Sequence, residues 1–273
     1  MNHDILSAVV LGAIEGLTEF LPVSSTGHLI LAGDLLGFQS DLGKLFEIVI
    51  QLGAILTVVV FSWGRLWRVL VGLPGDPQAR RFAVAVILAF LPAAFLGALF
   101  HDFIKSVLFS PWVVVVALVL GGIAILAIER RAPKPRYDRI ETMPLRTAFG
   151  IGFCQAIAMI PGVSRAGATI LGAEMLGVER RIATEFSFYL AIPTMLGATV
   201  LDLWKARATL TGDGMGLIAI GFVTAFVVAI PVVKGLIGFV GRHGLTPFAW
   251  YRIIVGLGWA AWLFYAGSSA ATG

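Results

Sequence analysis

The chain has 273 residues, of which 58% are hydrophobic and 13% charged, at a mean hydropathy of +0.93. Soluble domains carry about 25% charged residues, so a soluble globular class is excluded. The net charge of +4 comes from basic residues in loops rather than on one amphipathic face, so no nucleic-acid partner is expected, and the single cysteine, Cys154, excludes an intrachain disulfide framework and reads as a small buried hydrophobe.

Residues 82–100, 107–128 and 215–233 hold no charged residue, and each is about long enough to cross a bilayer. The N-terminal apolar stretch contains Glu15 and Glu19 and has no basic region before it, so it does not read as a cleaved signal. Helical segments are expected at 5–21, 25–37, 44–64, 81–100 and 110–130, and again at 145–160, 165–177, 183–203, 215–238 and 247–266. The first two of each set are short and separated by Pro22 or by Pro161-Gly162, so each pair reads as a re-entrant hairpin. The expectation is an all-α polytopic membrane protein forming one membrane domain, 1–273. It divides into a first repeat at 1–130, a cytoplasmic linker at 131–144 and a second repeat at 145–273.

The repeat is visible as identities at a constant offset of 140. Val23, Ser24 and Gly27 fall on Val163, Ser164 and Gly167; Gly12 and Phe46 fall on Gly152 and Phe186. Three full spans per half is an odd number, so the second half should insert upside down, giving six spans and two hairpins in an inverted repeat. Lys and Arg counts orient it. With Arg165 set aside, four basic residues (Lys44, Lys105, Lys205 and Arg207) fall outside, and the other fifteen, Arg252 among them, fall inside if both termini lie outside the cytoplasm. The linker, with Pro133, Pro135 and Pro144 among its charges, then belongs to the cytoplasmic side of an inner membrane.

Chemistry concentrates at the two breaks. Glu15 and Glu19, four apart, share a helix face, and two carboxylates inside apolar sequence argue for a polar cavity with a cation or protons between them. Pro22 ends that helix, Ser24 or Ser25 caps the next, and Ser25 and His28 share a face as a nucleophile-and-base pairing, with attack by water and His28 as base an equally legal chemistry. In the second half, Pro161-Gly162 frees backbone N–H groups at a helix start. With Ser164, Arg165 and Thr169 there, the spacing describes an anion site. Two such helix starts facing one cavity suit a phosphate or diphosphate better than a carboxylate. Glu47 and Glu185 read as supports of the site, Glu174 as a helix-end carboxylate, and Trp63, Trp67, Trp112, Trp250 and Trp262 as interface anchors.

On these motifs the chain resembles the bacitracin-resistance type of undecaprenyl-diphosphatase. That family is marked by E/Q-x-x-x-E leading into L-P-V-S-S-T-G-H, here Glu15 to Glu19 and Leu21 to His28, and by P-G-x-S-R-S-x-x-T, here Pro161 to Thr169. Ala166 departs from the pattern, standing where the family usually has serine. The resemblance implies an inverted-repeat fold and a divalent cation, Mg or Ca. It also implies hydrolysis of C55 isoprenyl diphosphate to the monophosphate, recycling the lipid carrier of cell-wall synthesis. Ser25, His28, Glu19 and Glu15 are then catalytic, Glu15 and Glu19 also holding the metal. Arg165, Ser164, Thr169, Ser24, Thr26 and Gly162 bind the diphosphate, in a site opening to the outer face. The partners are the lipid substrate and membrane lipid; a homodimer is left open. A different class, a secondary transporter or flippase for an isoprenyl phosphate lipid, shares the inverted-repeat pattern.

Overall fold

Hydrogen-bond satisfaction in a bilayer leaves an apolar chain little choice but helices, and the computed structural model, which describes residues 2–38, 41–206 and 214–271, is built of them, with no strand among the described residues. In chain order they are α1 (Asn2–Thr18), α2 (Ser25–Leu36), α3 (Asp41–Phe61), α4 (Trp63–Gly72), α5 (Pro77–Phe103), α6 (Pro111–Glu129), α7 (Leu145–Ile157), α8 (Arg165–Met175), α9 (Arg180–Ala206), α10 (Met215–His243) and α11 (Thr246–Ala271). A five-residue π turn, Ile104–Leu108, follows α5. Arg207 and Gly273 lie outside the described residues, as do the side chains of Lys44 and Lys105.

The ten expected segments are all present, with α4 as an addition. The chain bends by 72° between α3 and α4, so the segment expected at 44–64 is followed by a separate short helix. Alternation along WGRLWRVLVG explains it: Leu66 and Val69 pack on the core while Trp63, Trp67, Leu70 and Val71 stay exposed, an amphipathic pattern that ends a span rather than extending it. Four helices, α5, α6, α9 and α10, are long and apolar enough to cross a membrane, or five if the bent pair of α3 and α4 counts as one span. The chain is thus a multi-pass membrane protein.

Packing pairs the helices closely. α1 lies along α10 and α7 along α5; α10 also meets α3, α5 meets α9, and α6 pairs with α11. Small residues set the separation. A Cβ on Gly12 would collide with the Gly221 carbonyl of α10, and one on Gly152 with the Ala89 carbonyl of α5. The segment between α6 and α7 is tied down: the Tyr137 carbonyl accepts from Glu179 N at 2.8 Å, and Ile140 and Met143 are buried in the main core.

Candidate active site

Both breaks fold the same way. Ser24 (φ 74°, ψ 90°) and Ser164 (φ 77°, ψ 116°) are the two non-glycine residues with positive φ among the described residues, and each is the N-cap of the helix that follows. Ser24 Oγ accepts from Gly27 N at 3.3 Å and Ser164 Oγ from Gly167 N at 3.0 Å. Such backbone costs about 1–3 kcal/mol per residue and persists only where the surroundings enforce it. Here a buried arginine does so. Arg252, 1% exposed on α11, donates from Nη1 to the Pro22 and Val163 carbonyls (3.0 and 2.8 Å). From Nη2 it donates to Ala117 and Gly162 (2.9 and 2.8 Å), and from Nε to Leu118 at 3.3 Å. One guanidinium therefore fastens the first break, the second break and α6 together. Gly121 of α6 is required beside it, since any Cβ there would overlap Arg252 Nη2.

This corrects the expectation that Arg252 is a loop cation. Removing it from the inside count of fifteen leaves fourteen against four.

At the junction of the breaks, Ser25 Oγ donates to Glu19 Oε2. Glu19 Oε1 accepts from Arg165 Nη2 at 2.9 Å, an ion pair whose side chains are 6% and 12% exposed. Arg165 Nη1 donates to the Ser187 carbonyl at 2.8 Å and to Ser187 Oγ at 3.3 Å. Ser187 Oγ lies 2.6 Å from Thr169 Oγ1, which lies 2.9 Å from the Arg165 carbonyl. With Thr169 donating to that carbonyl and Ser187 to Thr169, the hydroxyls close a ring that fixes the arginine. Arg165 Nε is buried with no acceptor among the described residues.

Above this floor lies a cavity of about 510 Å³. Glu19, Ser24, Ser25, Thr26, Gly162, Ser164 and Arg165 line its polar end, and Ala93, Gly97 and Ala98 of α5 with Met195, Gly197 and Ala198 of α9 line its walls. An ion pair at the floor and mostly apolar walls, on which Asp202 of α9 is a further charge, suit a charged headgroup on a hydrocarbon chain.

Three expected residues stand off the cavity wall. Glu15 is fully buried beside Glu19 and Glu47, and neither of its carboxylate oxygens has a donor among the described residues. Thr169 supports Arg165 from behind. His28 is not brought to Ser25: its Nδ1 donates to the Ser24 carbonyl at 2.8 Å, which leaves Nε2 to accept from the Tyr251 hydroxyl at 2.9 Å. A carbonyl can only accept, so this contact sets the tautomer. The serine and histidine sit one turn apart, but the break turns Ser25 toward Glu19 and His28 toward α11. Glu185 is likewise elsewhere. It joins Arg65 (2.5 Å), which also pairs with Glu141 at 2.7 Å, in a separate cluster. Glu174, on the last turn of α8, pairs with Arg180 at 2.6 Å, as a helix-end carboxylate should.

The family model described as bacitracin resistance protein BacA matches residues 8–258. The chain belongs to that family. Among its relatives, undecaprenyl-diphosphatase 2 of Paramagnetospirillum magneticum is 58% identical over 252 residues, covering 92% of this chain and 96% of the relative. Undecaprenyl-diphosphatase of Sphingopyxis alaskensis is 57% identical over 264 residues, covering 95% and 99%, and that of Parvibaculum lavamentivorans is 55% identical over 255, covering 93% and 95%.

Two residues of this family member's site escape a reading of the sequence. Ser187 carries no signal, because a lone serine in an apolar helix is ordinary. Arg252 does carry one, being a charge five residues inside an apolar run, the same anomaly that draws attention to Glu15.

Proposed function

We propose that this chain is an undecaprenyl-diphosphate phosphatase that hydrolyses C55 isoprenyl diphosphate to the monophosphate and inorganic phosphate, recycling the carrier of cell-wall synthesis. The observation that carries the reading is the chain of contacts Ser25–Glu19–Arg165 at the floor of an apolar-walled cavity, joining a nucleophile, a base and a cation drawn from both halves. The names of the relatives support the same activity.

In this mechanism Glu19 takes the Ser25 proton as Oγ attacks the terminal phosphorus. The Oγ–P bond forms, the bridging P–O bond breaks, and isoprenyl monophosphate leaves, taking from Glu19 the proton that came from Ser25. Water then cleaves the phosphoserine with Glu19 again as base, releasing phosphate. Arg165, through Nε and the Nη2 proton that otherwise faces Met195 Sδ at 3.9 Å, and the N–H groups at the starts of α2 and α8 meet the phosphoryl oxygens as their charge grows. Ser24, Thr26, Ser164 and Gly162 shape the phosphate end. His28 holds α11, and with it Arg252, against α2 rather than moving the Ser25 proton.

The residues fit a divalent cation, Mg or Ca. Glu15 offers two buried oxygens without donors next to Glu19, while no group of three or more His, Cys, Asp or Glu among the described residues is placed to hold a metal ion, so the fit rests on this pair. Glu15 and Glu19 would hold the ion through their carboxylate oxygens. Bound there, it would neutralise phosphoryl charge.

The topology belongs to the same proposal: repeats at 1–130 and 145–273 around the linker 131–144, inverted, with α3, α5, α6, α9, α10 and α11 crossing the membrane. α1–α2 and α7–α8 are the re-entrant hairpins, both termini lie outside, and the cavity opens outward. Exchange of the halves maps α1 on α10 to α7 on α5, and α3 on α10 to α9 on α5, and each image is also a packed pair, which supports the symmetry. The shared backbone of Ser24 and Ser164 and the fourteen-to-four basic bias support it further.

Purified protein in detergent, given an isoprenyl diphosphate, tests the function. It should release inorganic phosphate and lose that activity in Ser25→Ala. A transporter of the same fold would release none.

A further inference from the structure

The offset of 140 that aligns the two breaks places Gln155 opposite Glu15. Both residues lie one helical turn before their break, yet one ends in a carboxylate and the other in an amide. Gln155, on α7, is 2% exposed and lines the cavity that holds Ser25 and Arg165. Its Oε1 faces Thr194 Oγ1 of α9 at 3.3 Å as the weaker of two acceptors sharing that hydroxyl's one proton, the stronger being the Leu190 carbonyl at 2.7 Å, and this turns the other edge of the amide away from α9. That edge, Nε2, is buried and has no acceptor among the described residues. A buried amide nitrogen without a partner is rare in folded proteins, and one in a cavity wall is satisfied by what enters the cavity. The entering atom must be an acceptor, and the cavity's cation, Arg165, selects an anionic one.

We infer that Gln155 donates from Nε2 to a phosphoryl oxygen of the lipid diphosphate, as a neutral second anchor beside Arg165; this rests on the phosphatase reading. The asymmetry between the halves then has a chemical sense. Glu15 sits on the side where positive charge or protons are wanted, and a carboxylate at 155 would face the substrate's own negative charge. A neutral donor binds ground state and transition state alike, so its loss falls mainly on KM, whereas loss of Arg165 falls on kcat.

The test uses full-length protein in detergent with a short-chain isoprenyl diphosphate. Gln155→Met, similar in length and without donors, should raise KM about tenfold with kcat within about threefold of wild type. Gln155→Glu keeps the acceptor for Thr194 but exchanges the donor for a charge, and should lower kcat/KM about a hundredfold. Thr194→Val should stay within about threefold. If Gln155 only braces α7 against α9, the order reverses: Gln155→Glu is tolerated and Thr194→Val matches Gln155→Met, which overturns the inference. Should Gln155→Met fail to fold, Gln155→Glu, which keeps the side chain's shape, carries the test. Calorimetric affinity for inorganic pyrophosphate separates the two claims. Equal affinity in wild type and Gln155→Met overturns the role of Gln155. A wild type that binds pyrophosphate more tightly than Gln155→Met, yet releases no phosphate from isoprenyl diphosphate, upholds that role and overturns the phosphatase reading alone.

Discussion

Arg252→Met removes a side chain that is hydrogen-bonded to both breaks. Its guanidinium serves five backbone carbonyls, three of them in the breaks: Pro22, Gly162 and Val163. A buried acceptor left without a donor costs about 1–3 kcal/mol. Water from the adjacent cavity can reach some of the five, but if only two stay dry the loss is about 2–6 kcal/mol. At roughly 2–4 °C per kcal/mol, a mid-range loss of about 4 kcal/mol lowers Tm by on the order of 8–16 °C. The positive-φ backbone of Ser24 and Ser164 loses its clamp at the same time, so turnover should fall in protein that is still folded at assay temperature. Arg252→Lys keeps the charge and has three donors at one point instead of five in a fork, so it should lie between the two. Thermal unfolding in detergent followed by activity at a permissive temperature reads both effects. An Arg252→Met protein with Tm within about 2 °C of wild type and undiminished turnover would refute the clamp.

Further outcomes follow from the site. Arg165→Lys should fold, keep much of its substrate affinity and lose turnover about a hundredfold, because a point charge cannot meet two phosphoryl oxygens and Glu19 together; turnover within about threefold would make Arg165 a structural counter-charge. Ser25→Ala should abolish turnover while His28→Phe, which keeps the ring but breaks the Ser24 and Tyr251 bonds, should lose less activity and more thermal stability; equal and complete loss of activity in both would restore His28 to the chemistry. Glu15→Gln should raise the Mg or Ca concentration needed for half-maximal rate, and an unchanged metal response would remove Glu15 from the ion. A periplasm-active reporter fused after Gly273 should be active, and activity of a cytoplasm-only reporter there would overturn the inverted topology.

Much of this is legible in the sequence, because membrane sequences expose their anomalies. Glu15, Glu19 and Arg165 stand out against apolar neighbours, and Pro22 and Pro161 mark where helices must end, so the breaks and their membership could be read. Direction could not. Whether Ser25 faces His28 or Glu19 depends on the positive φ of Ser24, and nothing in the one-dimensional spacing announces that a serine adopts it. Arg252 reads as a topological charge because it lies near a helix start, and proximity to a span end outweighs the fact that an arginine inside an apolar run needs acceptors. The bend into α4 is hidden in the sequence for a similar reason: one apolar run continues across Ser62, and only the change in periodicity after Trp63 separates a spanning helix from a surface one. Ser187 and Thr194 act through partners on other helices, at sequence separations where no local pattern can point to them.

The most direct test of the account is the covalent state of Ser25 during turnover. Wild-type protein given isoprenyl diphosphate labelled in its terminal phosphate and quenched in acid should carry label on the peptide containing Ser25. None should be found in Ser25→Ala, and Glu19→Gln, which removes the base that forms the phosphoserine, should carry less than wild type. Steady release of phosphate from a protein that never carries label, with Ser25→Ala as active as wild type, would contradict it and assign the attack to water.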